Sequence, residues 1–178
     1  MLLCLLTGQR CQTLTKLDIS LMQELPDKYV FTIGEKLKTT KPGKHLDPIE
    51  LVAYKQDTSL CVVSHIKRYL HMTKDLRGKN CQLLISFIKP PNPVSNSTIG
   101  NWVKSILGNA GINVTKFSEN SAGLAATSYG TKTGLTLQEI LKAGGWSNAK
   151  TFATYYNKPI ETNFGTSILE HFQDSQSP

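Results

Sequence analysis

FSENSAGLAATSYGTKTGLTLQEILKAGGWSNAKTFATYYNKP, residues Phe117 to Pro159, sets the organisation of this chain. It reads as three consecutive helices. Ser118 to Thr131 is rich in small residues. Thr136 then caps a helix running to Ala143, with Glu139 at the capping-box position. Gly144-Gly145 stops it, because glycine adopts the left-handed turn that closes a helix at little steric cost. Ser147 caps a further helix, Asn148 to Asn157, which carries Tyr155 and Tyr156. Upstream, Ser97 or Thr98 caps a helix to about Asn109, with Ile99, Trp102, Val103, Ile106 and Leu107 as its apolar stripe. Residues 89–97 hold three prolines and cannot be regular structure, so they read as a loop.

Further towards the N-terminus the periodicity changes. Leu2 to Arg10 reads as the end of a buried helix. Lys16 to Ile19 and Tyr29 to Ile33 show β-type alternation, with Pro26-Asp27 as a turn between them. Residues 38–44, with Pro42-Gly43 at the tip, form a second turn. Pro48 to Tyr54 is either a strand or the approach to the next helix. Ser59 to Thr73 has helical apolar spacing, and Gln82 to Ile88 reads as a short strand.

The chain has 178 residues, enough for one domain with a real core. No apolar run approaches the length of a bilayer span. MLLCLL at the start lacks a basic flank and a cleavage site, so it reads as helix and not as a signal peptide. Cys4, Cys11, Cys61 and Cys81 are scattered without a CxxC pair. That spacing argues against zinc and against a disulfide framework, and all four are expected to be buried. The net charge is +7. Between Lys28 and Lys89 there are twelve Lys/Arg against five Asp/Glu, whereas from Gly100 onward the count is six against five. The excess charge thus lies in the middle third, as suits neutralisation of phosphates.

The block from Trp102 to Pro159 resembles the second half of a tyrosine recombinase (phage-integrase) catalytic domain, closest in look to the recombinases of crypton and DIRS-type mobile elements. In that family a His-x-x-Arg pair opens a helix, a Gly-His or Gly-Trp turn follows, and then the nucleophilic tyrosine. Here Asn120 stands in the histidine position and Gly123 in the arginine position. Trp146 fills the Gly-His/Trp slot. Tyr156, ten residues later, is the implied nucleophile, with its neighbour Tyr155 as the alternative. LLTGQR, Leu5 to Arg10, resembles the motif of the family's first catalytic arginine and assigns that role to Arg10; Thr13 stands where an acidic residue is usual. YVFTIGEKLKTTKPGK, Tyr29 to Lys44, resembles the strand-turn-strand of the catalytic lysine, with Lys38 as first candidate and Lys36 as second. Lys36, Lys41 and Lys44 are candidate DNA contacts.

The chemistry needs these residue types. Transfer of a DNA phosphoryl group to tyrosine requires an oxygen nucleophile, cations on the non-bridging oxygens and a proton donor for the leaving hydroxyl. Arginine binds two oxygens at once and keeps its charge, whereas lysine can give up a proton. Asparagine at 120 carries no titratable proton, and glycine at 123 has no side chain.

The resemblance implies an α+β, mainly helical domain over residues 1–173, with a small antiparallel sheet near the N-terminus and a frayed tail at 174–178. It implies a chain truncated at its N-terminus and a nuclear location in a eukaryote. It further implies double-stranded DNA as partner, assembly as a homo-oligomer on that DNA, and no metal or cofactor. The implied function is DNA breaking and rejoining by descent, impaired by the loss of the His-x-x-Arg pair. A non-catalytic DNA-binding module and a protein-interaction module are the alternatives. By this reading Gly123 gains nothing structurally, and restoring histidine and arginine at 120 and 123 is expected to tighten DNA binding.

Overall fold

A computed structural model describes residues 1–34, 47–88, 90–118, 120–146 and 149–155. In chain order these form α1 (Leu2–Thr7), α2 (Cys11–Leu14), β1 (Met22–Leu25), β2 (Lys28–Phe31), β3 (Ile49–Val52), α3 (Val62–Thr73), α4 (Asn96–Asn109), α5 (Asn120–Lys132), α6 (Leu137–Gly144) and α7 (Ala149–Tyr155). The architecture is helical with one small antiparallel sheet near the N-terminus, as expected.

The sheet has the order β1-β2-β3. Pro26-Asp27 makes the first hairpin two residues wide, so that Leu25 faces Lys28 and Met22 faces Phe31. In β2 and β3 the side chains alternate. Tyr29, Phe31, Ile49 and Leu51 are buried, while Glu50 and Val52 are exposed on the other face. On that outer face Lys28 Nζ meets Glu50 at 2.7 Å. The pairing raises the lysine's pKa and lowers the carboxylate's, but an exposed pair of this kind contributes little to stability. The buried face joins Leu14, Leu17, Leu83, Ile99 and Val103 in the main core. A second, much smaller cluster holds Ile140, Trp146 and Phe152.

Several elements differ from the sequence expectation. The first helix stops at Thr7, because Gly8 takes a left-handed conformation (φ 61°) and donates its N–H to Cys4. Arg10 therefore does not continue α1; it is the N-cap of α2, a turn the sequence analysis missed. Lys16 to Ile19 is not a strand but a turn that runs into a 3-10 helix at Ile19–Leu21, and β1 was missed, since Met22–Leu25 has no clean alternation. Gln82 to Ile88 is not a strand: it makes isolated bridges, Asp18 with Gln82 and Ile85 with Pro93. Arg77 and Tyr69 hold this segment together with single main-chain bonds such as Leu83 N–H to Leu17 C=O. The buried guanidinium of Arg77 donates to the carbonyls of Gln82 and Leu83 at 2.7 Å each and to Thr73 Oγ1 at 2.9 Å. The helix α4 begins earlier than expected, capped by Ser95, whose Oγ accepts from Thr98 N–H. Cys81 is exposed; the other three cysteines are buried. Thr136 and Glu139 form the expected capping box. No helix among the described residues is long and apolar enough to cross a membrane.

Candidate functional site

Three motifs far apart in sequence converge on the turn after α1. Thr7 Oγ1 donates to Leu3 C=O at 2.6 Å and accepts from Gln9 N–H at 3.1 Å, which tightens the turn around Gly8. The helix α5 crosses this turn so closely that a Cβ on Gly123 would lie 3.1 Å from the Gly8 carbonyl oxygen. A Cβ on Gly8 would in turn meet the Thr127 methyl at 3.3 Å and Gly144 Cα at 3.8 Å. Gln9, itself buried, reaches to the end of α6 and donates from Nε2 to Ala143 C=O at 2.7 Å. The TGQR turn, the middle of α5 and the end of α6 thus meet at one junction.

The Gly-Gly-Trp segment closes the next step. Gly145 is left-handed (φ 65°), its N–H bonds to Lys142 C=O, and Trp146 N–H bonds to Leu141 C=O. That bond pair is a Schellman end and folds the Trp146 ring back onto the helix. A Cβ on Gly144 would fall inside the six-membered ring of Trp146, so position 144 must be glycine for this packing. Trp146 is buried and lies against Phe152, with ring centroids 5.4 Å apart. Phe152 anchors α7, and α7 carries Tyr155 as its last residue.

The structure therefore brings Arg10, Gly123 and Trp146 to neighbouring turns of one junction, with Asn120 at the start of the same helix as Gly123. Arg10 is half-buried at the head of α2. Tyr156, Lys36, Lys38, Lys41 and Lys44 lie outside the described residues. The view that Gly123 brings no structural gain is overturned. Its missing side chain lets α5 approach the backbone of Gly8, and Thr127 Oγ1 donates back to Gly123 C=O at 3.0 Å. Of the two arginine positions implied by the resemblance, the chain keeps a guanidinium at one. At the other, a carbonyl oxygen faces the position.

Beside the junction a cleft of about 350 Å³ is lined by Thr7, Gln9, Glu50, Glu139 and Lys142 among others. Glu139 sits below the ordinary carboxylate range because the Thr136 hydroxyl and N–H both donate to it. Sequence reasoning gave Gln9 no role and took Gly144 only as a helix stop. The signal for Gly144 was present in the doubled glycine before an aromatic residue. For Gln9 there was none, since its partner is 134 residues away. Among the described residues no cluster of ligand side chains fits a metal ion.

No family model matches the chain, and no curated protein does. Solved structures do. The site-specific recombinase XerH, bound to its difH substrate in a pre-cleavage complex, superposes with a TM-score of 0.66 at 17% identity, over 86% of this chain and 40% of that one. XerA recombinase gives 0.66 at 15% identity, over 99% and 55%. The Tn1549 transposon integrase in complex with transposon right end DNA gives 0.62 at 11%, over 97% and 56%. The chain thus spans 40–56% of the length of these proteins. At such identities the likeness is one of fold: the chain has the fold of a tyrosine-recombinase catalytic domain.

Proposed function

We propose that the chain is a DNA-binding domain of the strand breaking-and-rejoining type, of crypton or DIRS-like descent, whose phosphoryl-transfer site no longer works at family rates. The observation that carries this is the contact between Gly123 and Gly8. Glycine supplies no guanidinium at this position, and a Cβ added there would already lie 3.1 Å from the Gly8 carbonyl oxygen. Removing a single preorganised donor from such a site costs on the order of 10²–10³ in rate. The loss of a charged, two-pronged donor is at least as severe. In this reading Arg10, half-buried at the head of α2, holds one phosphate, and the basic middle third supplies further charge. Assembly on DNA as a homo-oligomer and a nuclear location belong to the same reading.

Two measurements test it. The wild-type chain should bind duplex DNA with an affinity that falls steeply with salt, because each neutralised phosphate releases counterions. Binding that is flat between low and physiological salt would overturn the DNA reading. On a nicked duplex that traps tyrosyl-DNA adducts, the wild type should form little or no adduct. Adduct at the rate of an ordinary recombinase, abolished by Tyr156→Phe or by Tyr155→Phe, would show the site to be intact and name the nucleophile.

A further inference from the structure

The charge excess between Lys28 and Lys89 does not reach solvent at one place. Arg77 is buried and bound to two carbonyls and a hydroxyl, and Lys28 is paired with Glu50. Lys36, Lys38, Lys41, Lys44 and Lys89 lie outside the described residues. The remaining cations of this stretch, Lys55, Lys67, Arg68, Lys74 and Lys79, are all exposed. Three of them lie on α3 and the 3-10 turn Lys74–Leu76 that prolongs it.

At about 100° per residue, positions 67, 71 and 74 fall within a stripe roughly 60° wide, with Arg68 beside it. The opposite side of α3 buries Val62, Ile66 and Thr73 and packs on β3, so the stripe looks away from the sheet. His71, also exposed, stands between the cations. Asp75 is the one carboxylate of this helix and its 3-10 extension. Among the described residues, no ion pair involves Lys67, Arg68 or Lys74. From Lys67 to Lys74 the helix rises about 10 Å. Over that length one DNA strand presents about three phosphates, at roughly 3.4 Å of axis each.

We infer that the outward face of α3 is a second phosphate-contact surface for duplex DNA, separate from the Gly8 junction. It rests on the DNA-binding reading above and adds the residues: Lys67, Arg68 and Lys74 each neutralise a backbone phosphate without reading sequence. Contacts of this kind position a protein on a duplex and supply salt-dependent affinity.

The test compares the wild type with the Lys67→Gln/Arg68→Gln/Lys74→Gln triple variant. A Lys67→Arg/Lys74→Arg variant keeps the charge and serves as control. Binding to a labelled duplex of mixed sequence is followed across a salt series. The Gln variant should bind on the order of 10²-fold more weakly near 0.1 M salt, and its log–log salt slope should shrink by about 2–3, at about 0.9 per phosphate. The Arg variant should keep the wild-type slope. All three residues are exposed, so the circular dichroism of the variants should match the wild type. Duplex binding with an unchanged slope in the Gln variant would overturn this inference alone. No duplex binding by the wild type would overturn it together with the function it rests on.

Discussion

The two apolar clusters among the described residues are built by different rules. The main one is large and ordinary: Leu14, Leu17, Phe31, Leu51, Leu83 and Val103, from helices and sheet alike, are almost wholly buried. The other consists of Ile140, Trp146 and Phe152, with Leu141 at its edge. Among the described residues, three buried side chains are too few to hold α6 and α7 by apolar burial alone. The difference is made up by close backbone approach at Gly8, Gly123 and Gly144, and by the Gln9–Ala143 hydrogen bond. The region that holds the candidate site is thus held by shape and by one long-range polar link, whereas the scaffold is held by bulk. Local opening should therefore start at α6 and α7, where, among the described residues, little apolar surface resists it.

The same deletion made in both clusters should break or sharpen that contrast. Phe31→Ala removes a fully buried ring from the main core and is expected to cost about 3–5 kcal/mol of global stability. Phe152→Ala removes an equal ring from the small cluster. It should leave the global transition nearly where it was, and instead release Trp146, seen as a red shift of tryptophan emission in a Trp102→Phe background. Hydrogen exchange should then accelerate in α6 and α7 and not in β2 or α3. If Phe152→Ala lowers the global transition as far as Phe31→Ala does, the two clusters form one cooperative unit.

The parts legible in the sequence were those with local causes. The helices α3 and α4 announce themselves through apolar spacing, and the α6 ends through Thr136-x-x-Glu139 and Gly144-Gly145. The sheet was half legible: Tyr29 and Phe31 alternate cleanly, but Met22–Leu25 is an edge strand whose pairing depends on β2, so it leaves no pattern of its own. Gln82 to Ile88 looked like a strand because Leu83 and Ile85 are deeply buried. Arg77, Tyr69 and single main-chain bonds supply the hydrogen bonds that a neighbouring strand would have given. At the candidate site, Arg10, Trp146 and the Asn120/Gly123 pair were singled out by the resemblance to the recombinase family and by no local physical pattern. The contact that gives Gly123 its meaning joins residues more than a hundred positions apart, and no local pattern encodes it.

Position 123 offers the second test, with a smaller effect. By propensity alone, glycine to alanine inside a helix gains about 1 kcal/mol. At Gly123 the new Cβ would press on the Gly8 carbonyl, and that turn is tied down by Thr7, Cys4 and Gln9. Gly123→Ala should therefore gain nothing in a thermal melt, whereas Ala125→Gly, on an exposed site of the same helix, should lose about 1 kcal/mol. Gly123→Arg should cost about 1–3 kcal/mol by overpacking. Sequence alone suggests that Asn120→His with Gly123→Arg would tighten DNA binding; the junction predicts a less stable protein with no gain in adduct. A melt raised by Gly123→Ala would mean that Gly8 yields easily and the junction is loose.

The smallest effect concerns the cap of α6, which belongs to the weakly held region. Glu139 accepts from the Thr136 N–H at 2.8 Å and from its hydroxyl at 2.7 Å, and these bonds hold its carboxyl below the ordinary range. A depressed pKa fixes the sign. The charged form is bound more tightly in the folded state, so its contribution is present above the unfolded value of about 4.3 and fades as pH falls through the folded one. Glu139→Gln keeps the shape of the capping box and removes the charge. At neutral pH the wild type should therefore protect the α6 amides from exchange slightly better than the variant, and towards pH 3 the two should converge. The main core, with no such cap at stake, should show no difference between them at either pH. A difference that persists unchanged at pH 3 would mean that the carboxylate charge is not what holds this end of α6.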